Sequence, residues 1–166
     1  MAGTLCIKTT KSQELKQVWG TWLTEIGQNI GGWDWWFTGT FRDRPQEDIK
    51  RGWTKPGWAY TAKAWLDFMA ELRARRGIGE PIWVAGREYQ KERGVPHFHA
   101  LISGVSNLRR TDAWAWWFKH YGINRIEPYN RHKGAGYYLC KYVTKELGDI
   151  QFSQGMEHLT TIAKGG

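Results

Sequence analysis

At 166 residues the chain has the length of one domain and can bury a sizeable core. Hydrophobic residues make up 41% and charged residues 24%, a globular balance that excludes a disordered chain. The formal charge is +8, the pI lies near 9.6, and 12 residues are tryptophan. A basic surface captures polyanions, and aromatic rings stack on unpaired bases, each worth ~1–3 kcal/mol. Nucleic acid is therefore the favoured partner class, although most of the tryptophans are expected to pack the core. Cys6 and Cys140 do not make a disulfide framework and fit a reducing compartment. The start Met1-Ala2-Gly3-Thr4-Leu5 lacks an apolar signal core, and no run reaches the ~18 apolar residues of a spanning helix. The expectation is a soluble, cytoplasmic protein with no membrane partner.

Residues 11–30 have helical spacing, with Leu15, Val18, Trp19, Trp22, Leu23 and Ile26 as the apolar set. The aromatic, Thr-rich run within 33–41 suits a strand, and 42–57, with its Arg, Asp, Pro and Gly, reads as a loop. Residues 58–76 read as a helix, apolar at Ala62, Leu66, Met69 and Leu72. It ends in Arg73, Arg75 and Arg76 before Gly77, which suits a helix C-terminus. Strands at 82–89 and 97–103 are joined by the polar stretch Gln90 to Pro96. A helix at 111–120 follows, apolar on nearly every side, then a short strand at 123–128 and the basic loop Arg131-His132-Lys133-Gly134. A helix at 135–147 and a last strand at 150–153 complete the order. Hairpin-joined strands with interspersed helices predict an α+β fold on an antiparallel sheet.

In His97-Phe98-His99-Ala100-Leu101-Ile102, period-two alternation sends both histidines to one face and Phe98, Ala100 and Ile102 to the other. Two imidazoles so spaced can converge on one cation, although two surface histidines would give the same pattern. Glu88, near the end of the preceding strand, is the candidate third donor. Two nitrogens and a carboxylate leave coordination positions open for a phosphate. Zinc is the alternative ion, but a structural zinc would want a fourth protein ligand.

In Gly136-Tyr137-Tyr138-Leu139-Cys140-Lys141-Tyr142-Val143-Thr144-Lys145-Glu146, helical spacing aligns Tyr138, Lys141, Tyr142 and Lys145 on one face. Leu139, Val143 and Leu147 form the apolar stripe. Ammonium groups beside a phenol favour the phenolate, lowering its pKa from ~10, and can also hold a phosphate. A plain solvated face is the alternative reading of this helix taken alone.

With these pieces in order, the chain resembles the His-hydrophobe-His (HUH) endonucleases. It is most similar in pattern to rolling-circle replication initiators of plasmids, phages and viruses with small circular genomes. Phe37-Thr38-Gly39-Thr40-Phe41 matches that family's first motif and His97-Phe98-His99, after Gly94-Val95-Pro96, its second. The helical Y-x-x-K motif is matched twice, by Tyr138 with Lys141 and by Tyr142 with Lys145, and Glu88 matches the family's acidic ligand.

The resemblance covers roughly 33–153. It implies a five-stranded antiparallel sheet flanked by helices, of the ferredoxin-like or RRM-like HUH nuclease type. The whole of 1–166 would be one nuclease domain, with 1–30 an N-terminal helical extension. It further implies a metal site of Glu88, His97 and His99 holding Mg²⁺ or Mn²⁺, and tyrosine attack on a phosphodiester of single-stranded or stem-loop origin DNA. A 5′-phosphotyrosine and a free 3′-hydroxyl would result. Tyr142 is the expected first nucleophile and Tyr138 the second, with Lys145 and Lys141 as their partners.

No G-x-x-x-x-G-K-[S/T] loop occurs, so a helicase domain is not expected. A host helicase would then separate strands, or the chain is a fragment of a longer one. Arg87, Lys91, Arg93, Arg131 and Lys133 are candidate phosphate contacts, and Trp35, Trp36 and Trp83 candidate base-stacking rings. A transposase or relaxase would share the chemistry. A non-catalytic single-strand-binding module would explain the charge and the tryptophans but not the histidine pair.

Overall fold

The computed structural model describes residues 3–43, 50–52, 55–134, 150–154 and 156. In chain order the elements are α1 (Gly3–Asn29), β1 (Trp35–Gly39), α2 (Trp58–Arg76), β2 (Ile82–Tyr89), β3 (Pro96–Ser103), α3 (Arg110–His120), β4 (Asn124–Pro128) and β5 (Ile150–Phe152). The expected 135–147 helix, with Tyr138, Cys140, Lys141, Tyr142 and Lys145, lies outside the described residues. The five strands form one antiparallel sheet in the order β4-β1-β3-β2-β5. The fold is thus α+β with a five-stranded antiparallel sheet, as the hairpin pattern predicts. Among the described residues no helix is long and apolar enough to cross a membrane.

Strand alternation divides the side chains between two cores. Trp35 and Phe37 of β1, Trp83 and Ala85 of β2, and Phe98, Ala100 and Ile102 of β3 face α2 and α3. They meet Ala64, Trp65, Phe68, Met69 and Leu72 of α2 and Ala113 and Trp117 of α3. The rings interlock edge to face, as with Phe37 against Trp117 at 4.9 Å, and stack, as with Trp65 on Phe98 at 5.1 Å. The phase of α2 differs from the sequence expectation. Leu66 is 59% exposed, because the stripe 61, 64, 65, 68, 69, 72 wins the core by carrying Trp65 and Phe68.

On the other sheet face Trp36, Val84 and Leu101 pack beneath Leu23 and Ile26 of α1. α1 begins earlier than its apolar periodicity starts, at Gly3, and Val18 on it stays exposed. Gly31 and Gly32, with φ of 85° and 108°, reverse the chain at its end in a conformation only glycine takes readily. The turn brings Trp33 back to donate its indole N–H to the Leu23 carbonyl at 3.0 Å. Gly27 is what admits that ring, since a Cβ there would lie 2.8 Å from it.

The edge strands are blunted. Trp114 Nε1 donates to the Asn124 carbonyl at 2.9 Å, and Arg110 Nη1 donates to the Ile126 carbonyl at 3.2 Å. β4 ends on Pro128, and β5 has only three residues.

Candidate metal centre

β3 passes from core to site on a single face. Leu101 is buried under the α1 core, and the next residues of the same parity are His99 and then His97. The β2–β3 register sets Glu88 directly opposite His97 and Gly86 opposite His99. Glu88 Oε1 consequently lies 3.0 Å from His97 Nε2 and 3.6 Å from His99 Nε2. One donor atom from each of the three falls within 4.8 Å of the others, so the group could hold a metal ion.

The spacing suits one cation. Two donors each about 2.1 Å from a common ion lie about 3.0–3.4 Å apart at octahedral or tetrahedral angles. The donor set, two imidazole nitrogens and a carboxylate oxygen, has the chemistry a divalent ion needs. His97 Nδ1 is buried without a hydrogen-bond partner. His97 is also pushed below its ordinary value of 6.5, first by burial and then by the neighbouring His99, with Glu88 pulling the other way. A neutral imidazole is the form that ligates.

Two residues of β1 orient His99. Thr38, its register partner, brings Oγ1 to 3.4 Å from Nδ1, leaving Nε2 toward Glu88. Trp36 stacks on the ring at 5.7 Å, with planes 19° apart. A ligating histidine commonly has its second nitrogen fixed in this way. The Phe37-Thr38-Gly39 stretch thus serves both faces, with Phe37 in the core and Thr38 behind the histidine. In the sequence Thr38 is visible only as part of a motif; the alternation of β1 is the signal that places it on the histidine side.

The nucleic-acid candidates separate. Lys91, Arg131 and Lys133 are exposed. Arg93 is half-exposed and engaged, donating to the Phe41 carbonyl at 3.0 Å and to Asp43 at 2.8 Å. Arg87 corrects the sequence expectation. It is 8% exposed on the core face, donates to the Trp58 carbonyl at 2.6 Å and to Thr61, and lies 3.5 Å from the Trp58 ring centroid. It therefore ties the hairpin to the start of α2. Trp35 and Trp83 are also buried on that face, remote from any base, and Trp36 is buried against His99. Strand parity carries the signal for each: if Glu88 faces the histidines, Arg87 cannot.

The chemistry of Tyr121 excludes it as an activated nucleophile. Its hydroxyl donates to Asp67 at 3.2 Å, and burial with the Asp67 charge drives its pKa well above 10.

Residues 34–147 match the family model for the replication-associated protein ORF2. No curated protein and no solved structure matches the chain. The matched span begins just before β1 and takes in the Thr38 strand, Glu88 and both histidines, in agreement with the resemblance to rolling-circle initiators carried by those motifs. The chain belongs to this family of replication-associated proteins.

Proposed function

We propose that this protein initiates rolling-circle replication by nicking and rejoining single-stranded origin DNA through a tyrosine. The observation that carries the reading is the convergence of Glu88, His97 and His99 on one sheet face of a replication-associated protein. These three residues would hold Mg²⁺ or Mn²⁺. Among the described residues no fourth His, Cys, Asp or Glu joins the group, which favours an open site over a structural zinc. Such an ion supplies Lewis-acid polarisation of the scissile phosphate.

The nucleophile is assigned to Tyr142, with Tyr138 one helical turn away on the sequence for the return transfer. In the nick, the Tyr142 phenolate oxygen bonds to phosphorus and the bond from phosphorus to the 3′-oxygen breaks. The departing oxygen takes up a proton as a 3′-hydroxyl, and the phosphate remains on the tyrosine. Lys145 and Lys141 favour the phenolates and hold the phosphate. Strand separation falls to a host helicase. Lys91, Arg131 and Lys133 supply sequence-independent phosphate contacts.

A denaturing gel of protein with labelled candidate origin DNA tests this. A covalent band should form with manganese, vanish with chelator, and be lost in Tyr142→Phe. Tyr138→Phe should still nick but transfer strands poorly. Adduct at the normal rate in chelator would remove the metal from the mechanism, and adduct only in Tyr142→Phe would reverse the two tyrosines.

A further inference from the structure

The outer side of α3 carries two aromatic rings that neither core absorbs. Trp114 and Phe118, one turn apart, stack with centroids 5.0 Å apart and planes 9° from parallel. Yet they remain 41% and 45% exposed. Trp114 has a structural duty in capping β4, and its reciprocal bond from Asn124 Nδ2 at 3.0 Å fixes it there. Phe118 has no such duty. Leaving apolar area in water forgoes roughly 25 cal/mol per Å².

Cations flank the pair. Arg110, Trp114 and Phe118 stand four residues apart and share one stripe of the helix. Beyond Phe118, the Arg42 guanidinium lies 5.5 Å from the ring centroid and donates to the Phe118 carbonyl. The stripe thus reads cation, aromatic, aromatic, cation, with exposed Lys119 beside it and Asp112 the only acid on α3. The stripe also connects to the metal centre around the sheet edge. Gly86, His99, Thr38 and Arg125 form one cross-strand row, so Arg125 stands on the histidine face two strands from His99, roughly 10 Å away. Its side chain is 74% exposed and pairs with Glu127 on the same strand. From Arg125 the β4 edge leads directly to Trp114, which bonds the carbonyl of the preceding residue.

We propose that this stripe is a stacking subsite for single-stranded DNA. Bases lie on Trp114 and Phe118, phosphates meet Arg42 and Arg110, and the strand passes Arg125 between this subsite and the metal centre. Stacking accepts any base, so the subsite adds affinity without sequence preference. The competing occupant is a second copy of the chain through the β4 edge. Charge decides against it: two chains of +8 repel, whereas a polyanion releases counterions on meeting the same arginines. The inference rests on single-stranded DNA being the substrate but not on the nicking step.

Titrating labelled oligothymidylate with the full chain in chelator, read by fluorescence anisotropy, tests it without cleavage. Phe118→Leu keeps apolar bulk and the backbone contacts but removes the ring. It should weaken binding about five- to a hundredfold, the loss of one stacked base, and Phe118→Tyr should restore it. Arg42→Gln should lower the log–log salt slope by about 0.7, one phosphate on a single strand. Unchanged affinity in both Phe118→Leu and Arg42→Gln overturns the proposal. So does a wild-type dimer, seen by light scattering, that Phe118→Leu makes monomeric without altering DNA affinity. A parallel manganese cleavage assay separates the two readings. Ring-dependent binding with no nick keeps the subsite and removes the nuclease. Nicking with Phe118-independent binding does the reverse.

Discussion

The two faces of the sheet are built from the same strands and have opposite fates. Toward α2 and α3, every described inward position from Trp35 to Ile126 is apolar and packed, with Arg87 closing the hairpin end. Toward α1, Trp36, Val84 and Leu101 are packed, but one step along β3 the same face carries His99 and His97. The first face is sealed by two helices, and α1 packs over Trp36, Val84 and Leu101 of the second. The difference teaches how the chain sustains a polar site inside a small fold: the core behind the sheet fixes the backbone, which frees three positions of the other face for charge. Phe98 is the pivot, because it is buried against Trp65 and Phe41 between the two histidines.

Adjacent residues of β3 should therefore fail in different ways. Phe98→Ala is expected to destabilise the fold by about 3–5 kcal/mol through an unfilled cavity, read as a lower urea midpoint. His97→Ala and Glu88→Ala should leave that midpoint near wild type while manganese-dependent cleavage falls by at least about a thousandfold, the loss of electrostatic stabilisation at the phosphate. If His97→Ala unfolds the protein as much as Phe98→Ala, the histidine face is structural and the division between faces collapses.

Thr38 sharpens the comparison, since it supports the site from a strand whose neighbours serve the core. Thr38→Val keeps shape but removes the oxygen near His99 Nδ1. Manganese affinity, measured by calorimetry, should drop about tenfold, the low end for losing a partner behind a ligating histidine. Thr38→Ser should recover it. Equal loss in both variants would mean the methyl packing, and not the hydroxyl, is what matters.

Much of this arrangement is legible in the sequence. The alternation in 97–102 is strict because β3 is buried on both sides, and Glu88 follows from a hairpin short enough to fix the register. Residue type misleads where parity decides. By type Arg87 is a surface cation and Trp35 a stacking ring, yet each occupies the strand position that points away from the histidines. The phase of α2 is ambiguous in the sequence because Ala, Leu and Met mark one stripe while Trp65 and Phe68 mark another, and the larger rings bury more area. The capping of β4 by Arg110 and Trp114 is a long side-chain reach across elements that no local pattern encodes.

The basic surface supplies a smaller and more general test. Contact with about six phosphates predicts a log–log salt slope near −4 on single-stranded DNA. Lys91→Gln and Arg131→Gln should each reduce it by about 0.7, whereas Arg87→Gln should leave the slope alone and lower stability, because its charge is engaged within the fold. A slope change in Arg87→Gln without loss of stability would return that residue to the DNA surface.

The smallest expected effect lies in the acid edge of metal binding. A proton and a cation compete for each imidazole, so binding weakens as pH falls through the ligand's own pKa and is insensitive to pH above it. His97 sits below its ordinary 6.5, chiefly by burial and next by the charge of His99. Its contribution to the acid edge should therefore appear below pH 6.5, with manganese affinity holding between that point and neutrality. The signs then distinguish the neighbours. Glu88 raises His97, so Glu88→Gln should lower overall affinity yet move the His97 edge further toward acid. His99 lowers it, so His99→Gln should lower affinity and move the edge back toward 6.5. Calorimetric manganese titrations at stepped pH separate edge from affinity in each variant. Edges moving together in both variants would show that burial alone sets His97 and that the three side chains do not share one field.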